Sequence, residues 1–423
     1  MFWLIEDSEQ LEDFKRQGFD EVFLEVIPYN FNVHPILDSV SLLYVHPLNS
    51  HKGYMLSISH SETLPLDIDA ITQALGEIKK IYVRDKKSTL QYITLKSLLD
   101  SQPTHNTYIS NYTHTHKWFY QQHKDKLDVN RIIPVVKHYE YCESIFTNMD
   151  VFNTKCEDDY CQWFNQKTSI VFSAIEANGL RVNKELFEEY FHPIEDDYVY
   201  TQYNLKTLTT RPSNTFNGVN YAALNKENGS RQCFIPRNDI LLELDISAYH
   251  PTLLANLVDY DFGDKDIHAA FAEMYGVDYK KAKELTFKQL YGGVFDQYKN
   301  LEFFKKVQAY TDELWDTFQY GGFVKMPNSG YILRREDTQD MKPQKLLNYV
   351  IQNLETSTNV RILWEILKLL RGKKTKLVLY TYDAFLFDLS SDEKEVINEI
   401  NQIIKNYKLA TKISYGSTYD FTE

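Results

Sequence analysis

Apolar and polar positions divide the first part of the chain into short segments with two periodicities. Runs of β-branched and aromatic residues bounded by polar turns predict strands at 22–27, 41–45 and 80–83. Apolar residues that recur every three or four positions predict helices at 90–99, 137–146 and 167–177. The pair Asn178-Gly179 is a typical helix C-cap and should close the last of these helices. Residues 1–165 are therefore expected to form an α/β unit.

The pattern after Asp239 differs from that of the first part. An apolar run at 240–245 predicts a strand, and a series of helices follows it. Two further apolar runs, 376–383 and 384–389, predict a strand hairpin, and a final helix is expected near 391–407.

Composition favours a globular protein of two or three domains, since the chain has 423 residues, 43% hydrophobic and 25% charged. No apolar run approaches the roughly 18 residues of a membrane span, and the N-terminus does not resemble a signal peptide. We therefore expect a cytoplasmic protein without a membrane partner. The four cysteines lack zinc-site spacing and are interpreted as reduced thiols.

The net charge of −13 counts against a nucleic-acid-binding protein, because such proteins usually carry a basic face. It does not exclude one, since the local field of a cleft decides binding. The abundance of Tyr, Lys, Asn and Ile suggests an AT-rich coding genome and hence a phage-encoded protein. His105, His114, His116 and His123 are interpreted as part of an exposed segment rather than as a metal site.

Two aspartates are the first candidates for catalysis. Asp245 ends the 240–245 run, and Asp383 lies at the tip of the predicted hairpin. Each has an ordinary alternative, because Asp is a common helix N-cap and a common turn residue. Mg²⁺ binds through few carboxylates together with substrate phosphates, so two aspartates suffice for a two-metal site.

The segment between the aspartates contains a cationic and aromatic helix pattern. Lys283, Phe287 and Tyr291 are spaced four residues apart and share one helical face. Such a face offers an ammonium group to phosphates and aromatic rings to a sugar and a base. The alternative is an ordinary amphipathic helix with a lysine that reaches solvent.

Taken together, these segments resemble the family-A DNA polymerases of the bacterial polymerase I type. Residues 245–250, Asp-Ile-Ser-Ala-Tyr-His, resemble the family's first metal motif, and Tyr382-Asp383-Ala384 resembles its second. Residues 283–292 resemble its nucleotide-binding fingers helix. Smaller matches follow in the family's order: 210–213 with Arg211, 266–268 with His268, and 348–352 with Asn348 and Gln352.

The resemblance, which covers about residues 166–423, implies an α+β fold with a right-hand palm and fingers. The palm would span 210–423, with fingers inserted at about 264–335, a reduced thumb at 166–209 and an exonuclease-like α/β domain at 1–165. The implied partners are a primed DNA template and dNTPs, and the implied cofactor is a pair of Mg²⁺ ions, with Mn²⁺ as a substitute. The resemblance assigns metal binding to Asp245, Asp383 and Ile246. It assigns the nucleotide to His250, His268, Lys280, Lys283, Phe287 and Tyr291, and the primer and template to Arg211, Asn348 and Gln352.

Several positions depart from the family pattern. The His and Glu that flank the second metal aspartate are here Tyr382 and Ala384, and the Glu that excludes ribose is His250. The family's fingers arginine is Tyr279, so Lys280 or Lys281 is expected to supply its charge. Only about 30 residues separate Arg181 from Arg211, where the family has a long thumb. A weak hold on duplex DNA is therefore expected, with a processivity or replisome protein as a possible source of grip.

The N-terminal unit is expected to be a degenerate, inactive 3′–5′ exonuclease. The family's first exonuclease strand carries Asp-X-Glu, whereas this chain has Leu24 and Glu25 within an apolar strand. Asp85 and the 139–143 spacing match the remaining exonuclease residues only in part. Two other functions stay open at this point: a single-subunit RNA polymerase or primase-like enzyme, and a catalytically idle replisome protein that binds DNA.

Overall fold

The structure, a computed structural model, describes residues 2–96, 98–100, 128–148, 159–263 and 265–421. The four histidines of the 105–123 segment and Cys156 lie outside the described residues. The chain divides into two compact units, residues 1–155 with 165–177, and residues 156–164 with 178–423. This division does not delimit palm, fingers and thumb, so the boundaries given above stay a prediction.

The first unit contains a six-stranded mixed sheet in the order β1-β4-β3-β2-β5-β6. Its central strand β2 pairs antiparallel with β3 and parallel with β5. The central strands are buried along almost their whole length, which explains their continuous apolar sequence. The strands are β1 (Trp3–Ile5), β2 (Glu21–Pro28), β3 (Val40–Pro47), β4 (Tyr54–Ser57), β5 (Lys80–Val83) and β6 (Leu98–Asp100).

Helices in the first unit follow the predictions at 137–146 and 167–177, but the prediction at 90–99 is wrong. There a helix ends at Tyr92 and strand β6 begins at Leu98, because Ile93 takes an extended conformation. Gly179, with a φ of 64°, follows the helix that was predicted to end at this point. The helices of this part of the chain are α1 (Ser8–Arg16), α2 (Ile68–Gly76), α3 (Lys86–Tyr92), α4 (Val129–Ile132), α5 (Val135–Asn148) and α6 (Asp159–Asn178).

The second unit is built around an antiparallel sheet of four strands in the order β15-β16-β12-β17. Strands β12 (Ile240–Ile246), β15 (Lys376–Thr381) and β16 (Ala384–Leu389) are the three apolar runs of the sequence. Strand β17 (Thr411–Gly416) was not predicted, and it forms one edge of the sheet beside β12. The sheet places the end of β12 next to the β15–β16 turn.

A three-stranded sheet in the order β11-β10-β9, the strand pairs β7–β8 and β13–β14, and a series of helices complete the second unit. The short strands are β7 (Leu180–Arg181), β8 (Tyr198–Val199), β9 (Tyr203–Asn204), β10 (Ser213–Phe216), β11 (Val219–Asn220), β13 (Phe323–Lys325) and β14 (Ile332–Arg334). The helices are α7 (Lys184–Tyr190), α8 (Tyr249–Leu257), α9 (Ile267–Tyr275), α10 (Tyr279–Gly292), α11 (Glu302–Gly321), α12 (Pro343–Leu369) and α13 (Val396–Asn406).

Helix α12 is the longest element and is buried on several sides. Its middle carries an uninterrupted series of buried residues that includes polar ones, from Asn353 to Val360. Buried polar groups need hydrogen-bond partners, and those of α12 contact the elements that carry the candidate site residues, as described below.

The fold class predicted from the sequence, α+β, is confirmed, since helices pack with largely antiparallel sheets in the second unit. Among the described residues, no helix is both long enough and apolar enough to cross a membrane.

Candidate active site

The two candidate aspartates are neighbours in the second unit: Asp245 lies on β12, and Asp383 lies in the turn between β15 and β16. Asp245 is opposite Ala384 in the β12–β16 ladder, and Asp383 immediately precedes Ala384. The backbone N–H of Ile246 donates to the carbonyl of Asp383 at 2.8 Å. The N-cap interpretation of Asp245 is wrong, because helix α8 is capped by Ala248 and Asp245 belongs to β12.

The turn that presents Asp383 has an unusual backbone. Tyr382 has a φ of 66°, a left-handed conformation that costs free energy for a residue with a Cβ. Two contacts hold it there. The side-chain amide of Asn359 donates to the Tyr382 carbonyl at 2.8 Å, and the guanidinium of Arg211 lies 3.7 Å from the centre of the Tyr382 ring. A tyrosine at this position therefore connects the turn to Arg211.

The two carboxyl groups repel each other's charge. Burial, followed by the nearby Asp245 carboxylate, raises the pKa of Asp383 from 3.8 to about 6. Asp383 remains exposed toward solvent although protein surrounds much of its carboxyl. Burial also raises the pKa of Asp245, and the cations of Lys226, Lys283 and Lys412 oppose that rise. Such a pair of repelling carboxylates favours a bound cation.

The two aspartates supply only a few of the ligands that a Mg²⁺ ion needs. Among the described residues, no cluster of three or more His, Cys, Asp or Glu side chains is arranged to hold a metal ion. Two carboxylates therefore leave most coordination positions to water and substrate oxygens, an arrangement that Mg²⁺ commonly adopts. Ile246 has an apolar side chain, so only its backbone carbonyl can serve as a ligand.

A group of cations and one histidine lies near Asp245. Lys412 on β17 is directly opposite Asp245 in the β12–β17 ladder. His268 on α9 is 4% exposed, and its Nδ1 has no hydrogen-bond partner among the described residues. Burial lowers the pKa of His268, and Lys283 and Lys412 lower it further. A neutral imidazole beside two ammonium groups suits hydrogen bonding to a phosphate.

Helix α10 carries the predicted cationic and aromatic face. The rings of Phe287 and Tyr291 are stacked, with centroids 6.1 Å apart and an interplanar angle of 11°. Phe287 is 40% exposed, so its ring is accessible from solvent. Lys283 is exposed one turn before Phe287, and Lys280 is exposed in the first turn of the helix.

Tyr291 leads into a buried hydrogen-bond chain. Its hydroxyl contacts Nδ1 of His250, and Nε2 of His250 contacts a carboxylate oxygen of Glu355 on α12. The other oxygen of Glu355 accepts from Nε of Arg211 at 3.1 Å. Burial raises the pKa of Tyr291 to about 12, and the charges of Glu355 and Asp383 contribute. Burial lowers the pKa of Arg211, but the charge interactions with Glu355 and nearby tyrosines have a larger combined effect. The pKa of Arg211 is therefore raised.

Two further predicted residues lie on α12. The side-chain amide of Asn348 donates to the carbonyl of Tyr291 at 3.4 Å, and its Oδ1 is buried without a hydrogen-bond partner among the described residues. Gln352 lies one turn further on and is partly exposed. Among the predicted site residues, Lys280 and Gln352 are the two without a described contact to the carboxylates, to the cations or to the hydrogen-bond chain from Tyr291 to Arg211.

Sequence reasoning missed Glu355, Asn359 and Lys412. Lys412 lies in an alternating segment, 411–416, which carried a strand signal that was not used. Glu355 and Asn359 lie within a helix whose residues resemble ordinary core and polar positions. No local pattern marks them, because their role depends on partners that are far away in sequence.

The comparisons with known proteins concern the fold. No family model matches the sequence, and no curated protein matches it. The structure is similar to a solved structure described as the POL domain of Pol1 from M. smegmatis in complex with DNA primer-template and dNTP. The TM-score is 0.73, the identity is 13%, and the match covers 99% of each chain. The chain therefore has the fold of a polymerase domain. At 13% identity, this likeness establishes the fold alone.

Proposed function

We propose that the protein is a template-directed DNA polymerase that adds dNTPs to the 3′ end of a primer. The observation that carries this proposal is the adjacency of Asp245 and Asp383, beside Lys283 and His268, on the fold of a polymerase domain. Fold alone does not assign a function. The carboxylate pair, the cations and the exposed aromatic face add the chemistry that this reaction needs.

Each group has a defined task in nucleotide transfer. Asp245 and Asp383 would hold two Mg²⁺ ions, whose chemistry would be to lower the pKa of the primer hydroxyl and to neutralise charge on the leaving pyrophosphate. Lys283 and His268 bind the triphosphate, where a fixed cation and a hydrogen-bond donor stabilise developing charge.

The remaining predicted residues act on the sugar, the bases and the primer. Phe287 and Tyr291 offer stacked rings to the nascent base pair. Arg211, Asn348 and Gln352 are assigned to the primer end. Lys226, Lys283 and Lys412 all act on Asp245, so cations are concentrated near this carboxylate although the whole chain is acidic.

Primer extension tests this proposal. With a primed DNA template and Mg²⁺, we expect extension with dNTPs and much weaker extension with rNTPs. Efficient use of rNTPs would instead support an RNA polymerase or primase-like enzyme. We include rNTPs because His250 stands where the family has the Glu that excludes ribose. Retained DNA binding without extension by either nucleotide set would favour the replisome-binding function.

Product length in the same reactions tests the reduced thumb. The segment between Gly179 and Arg211 contains only the seven-residue helix α7 and short strands, which supports a small thumb with few phosphate contacts. With excess unlabelled primed template as a trap, we expect short products from the protein alone. Long products under these conditions would argue against both the reduced thumb and the need for a processivity protein.

The first unit is proposed to lack exonuclease activity. Its candidate carboxylates already have protein partners: Glu25 binds Arg84, with Nε to Oε1 at 3.1 Å, and Glu143 accepts from the Tyr44 hydroxyl at 2.7 Å. Asp85 caps helix α3 by accepting from the N–H of Ser88 at 3.2 Å.

We therefore expect no release of 3′ mononucleotides from a labelled primer–template in Mg²⁺ without dNTPs. Carboxylates that are held by an arginine, a tyrosine or a helix N-terminus are poorly placed to share metal ions. Gel analysis of the 3′ products measures this directly. Release that persists in the Asp383→Asn variant would show a nuclease site in the first unit and would contradict the proposal.

A further inference from the structure

Glu355 is a buried carboxylate that no sequence motif marks and that contacts two candidate site residues at once. Its side chain is 1% exposed. One oxygen accepts from Arg211 and the other from His250. Burying a carboxylate is costly unless it is paired and hydrogen-bonded, and here both oxygens are occupied by donors from different elements. Removing the charge should therefore release both partners.

The contact with Glu355 determines which ring nitrogen of a neutral His250 carries the proton. A carboxylate only accepts hydrogen bonds, so the proton of a neutral His250 must be on Nε2. In that tautomer Nδ1 is an acceptor, to which the Tyr291 hydroxyl can donate. Glu355 thus fixes the tautomer and the ring orientation of His250, and through them the position of Tyr291 on α10.

The His250–Tyr291 pair lies where a nucleotide sugar would be placed. His250 follows Asp245 by five residues, at the start of α8. Glu355 joins His250 to Arg211, and Arg211 lies 3.7 Å from the centre of the ring of Tyr382, the residue next to Asp383. The sugar of a nucleotide is joined to its α-phosphate through one oxygen and one carbon. An α-phosphate at the carboxylates would therefore put its sugar within reach of this pair.

The geometry points to Glu355 as a positioning residue that sets sugar selectivity, because it holds His250 and Tyr291 against the ribose 2′ position and holds Arg211 beside them. This inference rests on the proposed polymerase function. Glu355 touches no substrate in this assignment. Its effect on the sugar passes through His250, and its effect on the primer end passes through Arg211.

Single-nucleotide incorporation by the full chain on primed DNA with Mg²⁺ tests this inference. The measurement compares dNTP with rNTP for wild type, Glu355→Gln, His250→Phe and the double variant. Loss of one charge-assisted hydrogen bond should lower the ratio of kcat/KM for dNTP over rNTP about tenfold in Glu355→Gln. Because the link acts at the 2′ position, where only rNTP carries a hydroxyl, the change should appear mainly as a lower KM for rNTP. In the His250→Phe background, Glu355→Gln should change the ratio no further, because the link is already cut.

Glu365→Gln is the matched control, since Glu365 lies on the same helix and accepts from the Tyr407 hydroxyl at 2.7 Å. An unchanged ratio in Glu355→Gln, or an equal fall of the ratio in Glu365→Gln, would overturn the inference. The proposed function would still stand in either case if wild type extends the primer. Wild type that incorporates neither nucleotide overturns both. If Glu355→Gln does not fold, Glu355→Asp replaces it, because it keeps the charge but withdraws the carboxylate from Arg211 and His250 by one methylene group. An unchanged ratio in that variant overturns the inference.

Discussion

Asp383→Asn is expected to reduce nucleotide incorporation by about 10³-fold or more, since metal-ion catalysis contributes several kcal/mol of transition-state stabilisation. The substitution keeps the size of the side chain and the hydrogen bond from Ile246 N–H, which goes to the backbone of residue 383. It removes one of the two carboxylates that are adjacent across β12 and β16. Single-turnover incorporation of one dNTP on a primed template measures the loss directly.

The same variant should be more stable than wild type at alkaline pH without metal. The pKa of Asp383 is raised from 3.8 to about 6 in the folded protein, so the folded state binds the proton more tightly than the unfolded state. Its contribution to stability is present below pH 3.8 and is lost as the pH rises through about 6. At pH 8 the ionised group opposes folding, and Asp383→Asn removes this effect. Thermal unfolding in EDTA at pH 8 should show a higher Tm.

Asp392→Asn is a suitable control for both measurements, because Asp392 is 78% exposed and pairs only with Lys374 among the described residues. It should leave incorporation and the Tm nearly unchanged. Mg²⁺ should also raise the Tm of wild type more than that of Asp383→Asn, because binding to the folded state stabilises it. Full incorporation by Asp383→Asn, in folded protein, would remove Asp383 from the catalytic site.

The placement of the two aspartates could be expected from sequence because local patterns define their elements. The runs 240–245, 376–383 and 384–389 are apolar and short, which favours buried strands over helices. An aspartate at the end of one run and another at the tip of a hairpin are then both expected at the ends of strands. That these two strand ends are next to each other follows from the antiparallel register of β12 and β16, which the sequence pattern does not specify.

The partners of these residues could not be expected from sequence. Glu355 contacts Arg211, which is 144 residues away, and His250, which is 105 residues away. Lys412 reaches Asp245 only because β17 pairs with β12 in one register. The wrong helix at 90–99 has a related cause. Apolar spacing predicts an amphipathic helix there, but pairing with β5 turns Leu98 into part of a strand.

Lys283→Ala is expected to lower kcat/KM for dNTPs about 10²-fold, the usual effect of removing one group that stabilises transition-state charge. Lys283 is exposed on α10, and its ammonium acts on both Asp245 and His268. One triphosphate could therefore contact Lys283 and His268 while its metal ions are bound at Asp245. Losing it also removes one of the cations that oppose the rise in the pKa of Asp245, which burial causes. Steady-state kinetics with a single dNTP measures the change.

Lys288→Ala separates this effect from a general loss of positive charge on α10. Lys288 is exposed on the same helix but is five residues away, about 140° around the helix axis. Its removal should change kcat/KM less than about threefold, the effect of a surface charge screened by solvent. Lys283→Arg should recover part of the activity, because a guanidinium also binds phosphate. Equal losses in both alanine variants would mean that α10 attracts DNA or nucleotide through its overall charge. A loss confined to Lys283 would place the triphosphate between α10 and the aspartates.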